Sequence, residues 1–501
     1  MLFVSPGTTS GTSGSHKHIP VPPIQRTVFF TQGISLTFDA LQNGVKHPSN
    51  DSLKWPNLQK SCKLMHEPQF TYTPSNIMVG PNSSRPSDNK GLLQLYTTPE
   101  SAFGVQSENE LLFLHALYAL LDTNLGFIEA NFCNRILNFF VLLDNKWEAL
   151  METIETGKLP DDLQISNEIR LQLESKLKPN LERAQELRRI RLEDAAALQN
   201  PSDKESKDPK PSLARRIWPT LHTILASETG TFQIYGEKLR QQYIGEDITI
   251  YSPLYAATEG LIGVNTDIRG KTFVLHPQAM FYEFYPIDET KDDDSVDPEK
   301  TLFMEQLEPG KEYEVIITNL TGLYRYRFGD VVRCVGYRHQ APVVEIAYRK
   351  GQFLNASGEK TSEETFYKAL SNTVTKDWGL NLTEYTTVEY FLKGNRKPRY
   401  IVFVELSDAA GSGNKAVERS LNTEEKMKLD KALGKENKSY EALRKIGRLE
   451  PIEVITVRSG TFEKLRQEMI SNGVSATQIK QPRVTRNEKL IKILEEESVV
   501  S

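Results

Sequence analysis

The stretch Gly322-Leu323-Tyr324-Arg325-Tyr326-Arg327-Phe328-Gly329-Asp330-Val331 alternates aromatic and basic residues and then breaks at a Gly-Asp pair. Period two is the signature of a strand, so Tyr324, Tyr326 and Phe328 should face one way and Arg325 and Arg327 the other. Upstream, Glu314 to Leu320 is a β-branched run and Thr321-Gly322 a turn, which predicts a hairpin with Leu323 to Phe328 as its second strand. Cross-strand contacts explain the alternation, but not the Gly-Asp ending. A carboxylate after a strand-terminal glycine suits ribose hydroxyls, as acidic residues do in other nucleotide sites. A planar arginine fork at Arg325 or Arg327 suits a phosphate or a substrate carboxylate.

Working outward, two further blocks contain ligand-type chemistry. Thr9-Ser10-Gly11-Thr12-Ser13-Gly14, followed by Lys17, is a Gly/Ser/Thr loop whose amides and hydroxyls can cradle phosphate oxygens. It lacks the Gly-Lys-Ser/Thr ending of a Walker loop, and taken alone it also reads as a flexible surface loop. Tyr255-Ala256-Ala257-Thr258-Glu259-Gly260 places small residues before a hydroxyl and a carboxylate. That order suits a flat base pocket with Glu259 holding Mg²⁺, or an ordinary strand end with a turn.

The remaining chain reads as scaffold. Ser107 and Glu110 form an expected capping box for a helix with Leu111, Leu114, Tyr118 and Leu121 on one face. Glu182 to Asp194 reads as a solvated helix face, and Lys204 to Lys210 and Asp288 to Glu299 as polar loops. Thr361 with Glu364 is expected to cap a helix over 361–372. Strands at 400–406 and 451–457 then alternate with helices near 461–471 and 486–497. A small α/β domain is therefore expected at residues 365–501, joined through a hinge at 353–364 to a large domain at 1–352. At the other end, Met1 to Val4 reads as a strand entering the phosphate-type loop directly, so the large domain is expected to lack its first elements.

Bulk properties bound the function. The chain has 501 residues, 38% of them hydrophobic, with a net charge of −5. This allows a large core and offers no basic field for nucleic acid. No run approaches the roughly 18 apolar residues of a membrane span. Cys62, Cys133 and Cys334 are scattered and odd in number, which fits a reducing compartment, with the cytoplasm as the expected location.

The three blocks, in this order, resemble the adenylate-forming enzymes and, more closely, the Gretchen Hagen family of acyl-acid amido synthetases, including its animal-type relatives. Tyr324 to Val331 carries most of the resemblance. Ile154 to Leu159, Gly358-Glu359-Lys360, Gly460-Thr461-Phe462 and Gln478 to Arg483 extend it over most of the chain. Ala257-Thr258 departs from the family's usual Ser-Ser.

The resemblance implies an α/β adenylate-forming fold, with a large N-terminal domain of mixed sheets flanked by helices, a β-barrel-like part and a small C-terminal lid. It implies an ATP-dependent ligase that adenylates a small carboxylic acid and passes the acyl group to an amine, with a monomer as the expected state. Ser10, Gly11, Thr12, Ser13 and Lys17 would hold phosphates, and Tyr255, Ala256, Ala257 and Thr258 would line the adenine pocket. Asp330 would bind ribose in ATP or AMP, and Glu259 would hold Mg²⁺. Tyr324 and Arg327 would meet the acid substrate, and Lys360 and Lys480 would be the catalytic cations. A thioester-forming acyl-CoA synthetase and a degenerate binding or scaffold relative are the alternatives.

Overall fold

The computed structural model describes residues 5–8, 18–45, 59–68, 70–81, 85–88, 90–199, 211–287, 297–350, 354, 359, 361–390, 398–408, 416–472 and 479–499. The phosphate-type loop at 9–17, Lys360, the loop at 204–210 and the Met1–Val4 strand lie outside them.

Four β-sheets organise these residues. The first is wholly parallel, in the order Lys60–Lys63, Leu125–Phe132, Thr223–Ser227, Thr249–Tyr251. Helices Glu108–Leu121, Cys133–Asn145, Trp147–Thr156 and Leu181–Gln199 accompany it. Parallel strands need crossover connections, which is why Leu125–Phe132 runs directly into the amphipathic helix Cys133–Asn145. Helix Glu108–Leu121 is buried all round from Leu111 to Leu120, rather than only along one apolar stripe.

The second sheet is antiparallel, with seven strands in the order Phe281–Pro286, Glu312–Thr318, Tyr326–Arg338, Ala341–Arg349, Phe273–Leu275, Gly260–Val264, Leu254–Ala257. It curls far enough for the Tyr282 hydroxyl on its first strand to donate to Ile262 O, 2.9 Å away on its sixth. This is the barrel-like part. A third sheet, Leu380–Tyr390, Arg399–Asp408 and Glu453–Thr456, carries helices Glu363–Asn372, Thr423–Glu436, Thr461–Ser471 and Glu488–Glu496. The fourth joins Ser5–Thr8 to His18–Val21 and to the short strands Met78–Pro81 and Thr71–Tyr72.

One hydrophobic cluster runs without a break from Leu117, Phe139 and Trp218 around the parallel sheet to Tyr385, Tyr400 and Val404 in the C-terminal sheet. In this arrangement the C-terminal unit is packed tightly onto the rest.

Local expectations are corrected in three places. Ser107 is the N-cap of its helix but makes no side-chain cap bond. Glu110 instead accepts from the Gln164 amide at 3.3 Å, so no capping box forms. The helix near 361 is capped by Ser362, whose hydroxyl accepts from the Thr365 amide at 3.1 Å, not by Thr361. The charged helix Leu181–Gln199 is not only a solvated face. Ala184 and Leu187 are buried, and so is Arg183, which donates to Leu120 O and Ile217 O at 2.8 and 2.9 Å.

Candidate active site

The Gly-Asp ending of the deciding stretch is a bulge. Glu314 pairs with Val331 and Ile316 with Arg327, so Phe328, Gly329 and Asp330 together oppose the single Val315. Gly329 makes this possible at φ 90°, a backbone region that a side chain resists. The bulge lays Asp330 opposite Arg349 on the next strand. Arg349 Nη1 donates to Asp330 Oδ1 at 2.7 Å, and the Tyr255 hydroxyl donates to Oδ2 at 2.8 Å. Burial, and then the Asp330 charge, hold the Tyr255 phenol well above its usual range, so it stays a donor. The Arg349 guanidinium also lies over the Phe328 ring, 5.1 Å from its centroid.

Nothing crowds the place where a Cβ would sit at Gly329, so Gly329→Ala is opposed by backbone conformation alone. It is expected to lower stability by roughly 1–2 kcal/mol and to weaken nucleotide binding by turning Asp330. Denaturant melts and ATP titration check both effects.

The block at 255–260 is a strand end followed by a tight turn. Leu254–Ala257 pairs antiparallel with Gly260–Val264, and Thr258 and Glu259 form the turn. Tyr255 points inward to Asp330, whereas Ala256 is exposed, so a small-residue edge borders the carboxylate. Asn319 Nδ2 donates to Glu259 O at 2.8 Å, and Gln25 Nε2 donates to Thr258 O at 3.1 Å. Gln25 lies just beyond the hairpin in which Thr8 pairs with His18 and Ser5 with Val21. The stem of the phosphate-type loop is thereby tied to this turn. Glu259 is buried, and no group of three or more His, Cys, Asp or Glu side chains able to hold a metal occurs among the described residues. A magnesium ion held by one carboxylate and by substrate phosphates fits such a donor set; an all-protein cage does not.

Lys480 enters this site from the C-terminal unit. Its ammonium lies 5.2 Å from the ring centroid of Phe132 and 5.7 Å from that of Phe232. Those two rings are stacked 4.2 Å apart at the carboxyl end of the parallel sheet, where ligands bind in open α/β sheets. Burial pushes the Lys480 ammonium below its ordinary pKa, against the pull of Asp330. Arg349 and Glu363 also act on it. Lys480 and Asp330, far apart in sequence, are therefore within electrostatic reach of each other. The neighbours of Lys360 are firmly held: Glu359 is buried, accepts from the Tyr400 hydroxyl, and its carbonyl accepts from Asn437 Nδ2 at 3.3 Å.

The acid-substrate expectation fares differently. The strand starts at Tyr326 rather than Leu323, and Arg325 sits at φ 45°. Tyr324 is 84% exposed. Arg327 donates to both carboxylate oxygens of Glu314, Nε at 2.7 Å and Nη2 at 2.9 Å. Arg325 makes the same fork on Glu283, at 2.9 and 2.7 Å. The Arg327 fork fastens neighbouring strands, and the Arg325 fork ties the entry of its strand to the next strand but one. Arg327, expected at the acid substrate, thus has its Nε and Nη2 on a buried carboxylate in this arrangement. Arg349, Phe132 and Phe232 border the site without any mark in the sequence. Their signal is pairing register and sheet topology, which no local motif carries.

Glu363 borders the same seam. Its carboxyl is pushed up to about 7 by burial, with Arg483 and Lys480 opposing and Glu384 adding to the rise. The folded protein keeps a proton that the unfolded chain releases near its ordinary pKa, so stability falls as pH rises from about 4.3 towards 7. Glu363→Gln should match the parent near pH 4 and exceed it above pH 7 by up to about 3 kcal/mol, read from melts across pH.

The curled antiparallel sheet, the parallel sheet and the C-terminal unit meet around Asp330 and Lys480. The same order of parts appears in the family match: the GH3 family N-terminal domain covers residues 5–249, the central domain 273–349 and the C-terminal domain 364–489. The chain belongs to the GH3 family. It is 28% identical over 418 residues to the 4-substituted benzoates-glutamate ligase GH3.12 of Arabidopsis thaliana, covering 80% of this chain and 67% of that protein. It is 31% identical over 385 residues to a GH3 domain-containing protein of Mus musculus, covering 76% of this chain and 64% of that one. The chain thus spans about two thirds of the length of these GH3 relatives. The solved GH3.15 acyl acid amido synthetase superposes over 100% of this chain and 82% of its own with a TM-score of 0.79 at 22% identity, which establishes the fold.

Proposed function

We propose that this GH3 protein is an ATP-dependent, AMP-forming ligase that joins a small carboxylic acid to an amine, an amino acid above all. One observation carries the reading. The Asp330 carboxylate is fixed by Tyr255 and Arg349 at a glycine bulge, within electrostatic reach of a half-buried lysine from the C-terminal unit.

In this reading Asp330 accepts the ribose hydroxyls, and Tyr255 to Thr258 border the adenine. Ser10 to Ser13 and Lys17 hold phosphates, and Glu259 takes the magnesium ion, which would neutralise phosphate charge. Tyr324 stands at the edge of the acid's entry. The acid's carboxylate attacks the α-phosphorus of ATP, pyrophosphate leaves, and the amine then attacks the acyl carbon and releases AMP. Neither step needs a covalent enzyme nucleophile, so orientation and charge stabilisation carry the rate. Lys480 and Lys360 meet the charge that develops on the phosphate and acyl oxygens. Segment 353–364 acts as the hinge on which the C-terminal unit turns between half-reactions. Buried, widely separated cysteines fit a reducing cytoplasm. Among the described residues, no helix is long and apolar enough to cross a membrane.

The test is acid-dependent exchange of labelled pyrophosphate into ATP across a panel of aliphatic and aromatic acids, followed by product analysis with amino acids or with coenzyme A. Exchange plus an amide is the expected result. A thioester alone would redirect the reading to the acyl-CoA ligases, and absence of exchange with every acid would refute it.

A further inference from the structure

The segment that presents Lys480 does not hang freely from the C-terminal sheet. It runs beside strand Leu380–Tyr390 as an added strand: the Thr387 amide donates to Arg483 O at 2.8 Å, and the Thr485 amide donates to Thr387 O at 2.9 Å. The Thr386 hydroxyl donates to Pro482 O at 2.6 Å. Arg483 is only 4% exposed, and its side chain reaches both sides of the seam. On the C-terminal side, Nη1 donates to Glu384 and to Tyr385 O, the latter at 2.9 Å. Glu363 lies 3.8 Å from Nε, and the guanidinium covers the Tyr385 ring at 4.5 Å. On the far side, Nη2 donates to Thr231 O at 2.9 Å, and the guanidinium lies 5.7 Å from the Tyr235 ring centroid. The Tyr235 hydroxyl completes the bridge by donating to Glu384.

Thr231 directly precedes Phe232, one of the two rings under the Lys480 ammonium. The arginine therefore grips the strand that carries the lysine and the turn that carries the lysine's seat. The planar fork carries these donors on two separate nitrogens, Nη1 towards Glu384 and Tyr385 O and Nη2 towards Thr231 O, a span that the single nitrogen of a lysine does not match.

We propose that Arg483 is the positioning residue for Lys480: it locks segment 480–485 at once to the C-terminal sheet and to the Thr231–Phe232 turn, and so sets the ammonium over the Phe132–Phe232 pair. The proposal borrows from the ligase reading only the chemical role of Lys480. Arg483 touches no reacting atom in it.

The test reads the position of Lys480 directly. The full-length chain is trace-acetylated with N-acetoxysuccinimide across pH, and each lysine is followed by mass spectrometry. Exposed Lys445 and Lys492, at 70% and 76%, serve as internal standards. In the parent, the Lys480 midpoint should lie below that of the standards, because burial disfavours its charge while Asp330, Arg349 and Glu363 face it. Removing Arg483 alone would leave Glu384 buried without its cation, so the main variant is the pair Arg483→Met with Glu384→Gln, which removes both charges. Its Lys480 midpoint should rise to that of the standards, and Arg483→Lys should move it most of the way. Pyrophosphate exchange should lose roughly tenfold to a hundredfold in kcat with little change in the KM for ATP. A Lys480 midpoint unchanged in both variants would overturn the proposal, whatever the activity. If the parent exchanges no acid, the ligase reading falls while the acetylation profile still decides the role of Arg483.

Discussion

Replacing Asp330 with Ala should abolish measurable ATP binding. A charged acceptor that bonds a hydroxyl contributes about 1.5–3 kcal/mol, so two ribose bonds together account for a loss of a hundredfold or more, at about 1.4 kcal/mol per decade. The geometry sharpens the expectation. Asp330 is already gripped by Arg349 Nη1 and the Tyr255 hydroxyl, each on a different oxygen, so its remaining lone pairs have a fixed direction. Alanine would also leave Arg349 and the buried Tyr255 without their carboxylate. For that reason Asp330→Asn is the companion variant: its one amide oxygen can still accept from Tyr255 or from Arg349, so part of the anchoring is kept while the charge is lost. Tyr255→Phe should cost less, about one hydrogen bond, or roughly tenfold in affinity. Calorimetric titration with ATP, with melts to certify folding, checks the series. ATP affinity preserved in folded Asp330→Ala and Asp330→Asn would remove the ribose assignment.

Lys480→Ala should lower kcat for pyrophosphate exchange by roughly 10²–10³, the usual cost of removing one preorganised donor from developing charge. The KM for ATP should change far less, because the proposed nucleoside contacts at Asp330 and the 255–258 edge are left intact. Folding should be nearly untouched, since the ammonium rests on two rings and takes part in no salt bridge among those found in the described residues. Lys480→Arg keeps the charge but spreads it over a larger plane, and should restore only part of the rate. Single-turnover measurements separate adenylate formation from acyl transfer. An unchanged rate in both half-reactions for Lys480→Ala would leave Lys480 as a packing residue on the Phe132–Phe232 pair.

Several elements are legible in the amino-acid sequence. The β-branched run at Glu314 to Leu320 became Glu312–Thr318, and the strands expected at 400–406 and 451–457 became Arg399–Asp408 and Glu453–Thr456. The helix expected over 461–471 is Thr461–Ser471. These succeeded because period and propensity are local properties of the chain. Boundaries and caps fared worse. Glu110 and Thr361 had the right chemistry for caps, but Gln164 and Tyr400 offered them other partners. An exposed arginine fork and one seated on a neighbouring strand have the same sequence; the Glu314 carboxylate opposite Arg327 is visible only in the fold.

The sequence alone carried the GH3 signature and marked Asp330 and the block at 255–260, because glycine, small residues and a carboxylate at fixed spacing favour a turn or an irregular strand end. It also marked Lys480 through its Gln-x-Lys-x-Pro-Arg setting. Only the tertiary structure decided what those residues meet. Arg349 reaches Asp330 through register between strands, Phe132 and Phe232 meet through the crossover topology of the parallel sheet, and Arg483 joins the C-terminal sheet to the Thr231–Phe232 turn. Each of these pairings joins residues from separate strands or turns, with contact energies set by packing and desolvation, and a linear pattern of residues does not encode which distant surface will arrive to complete it.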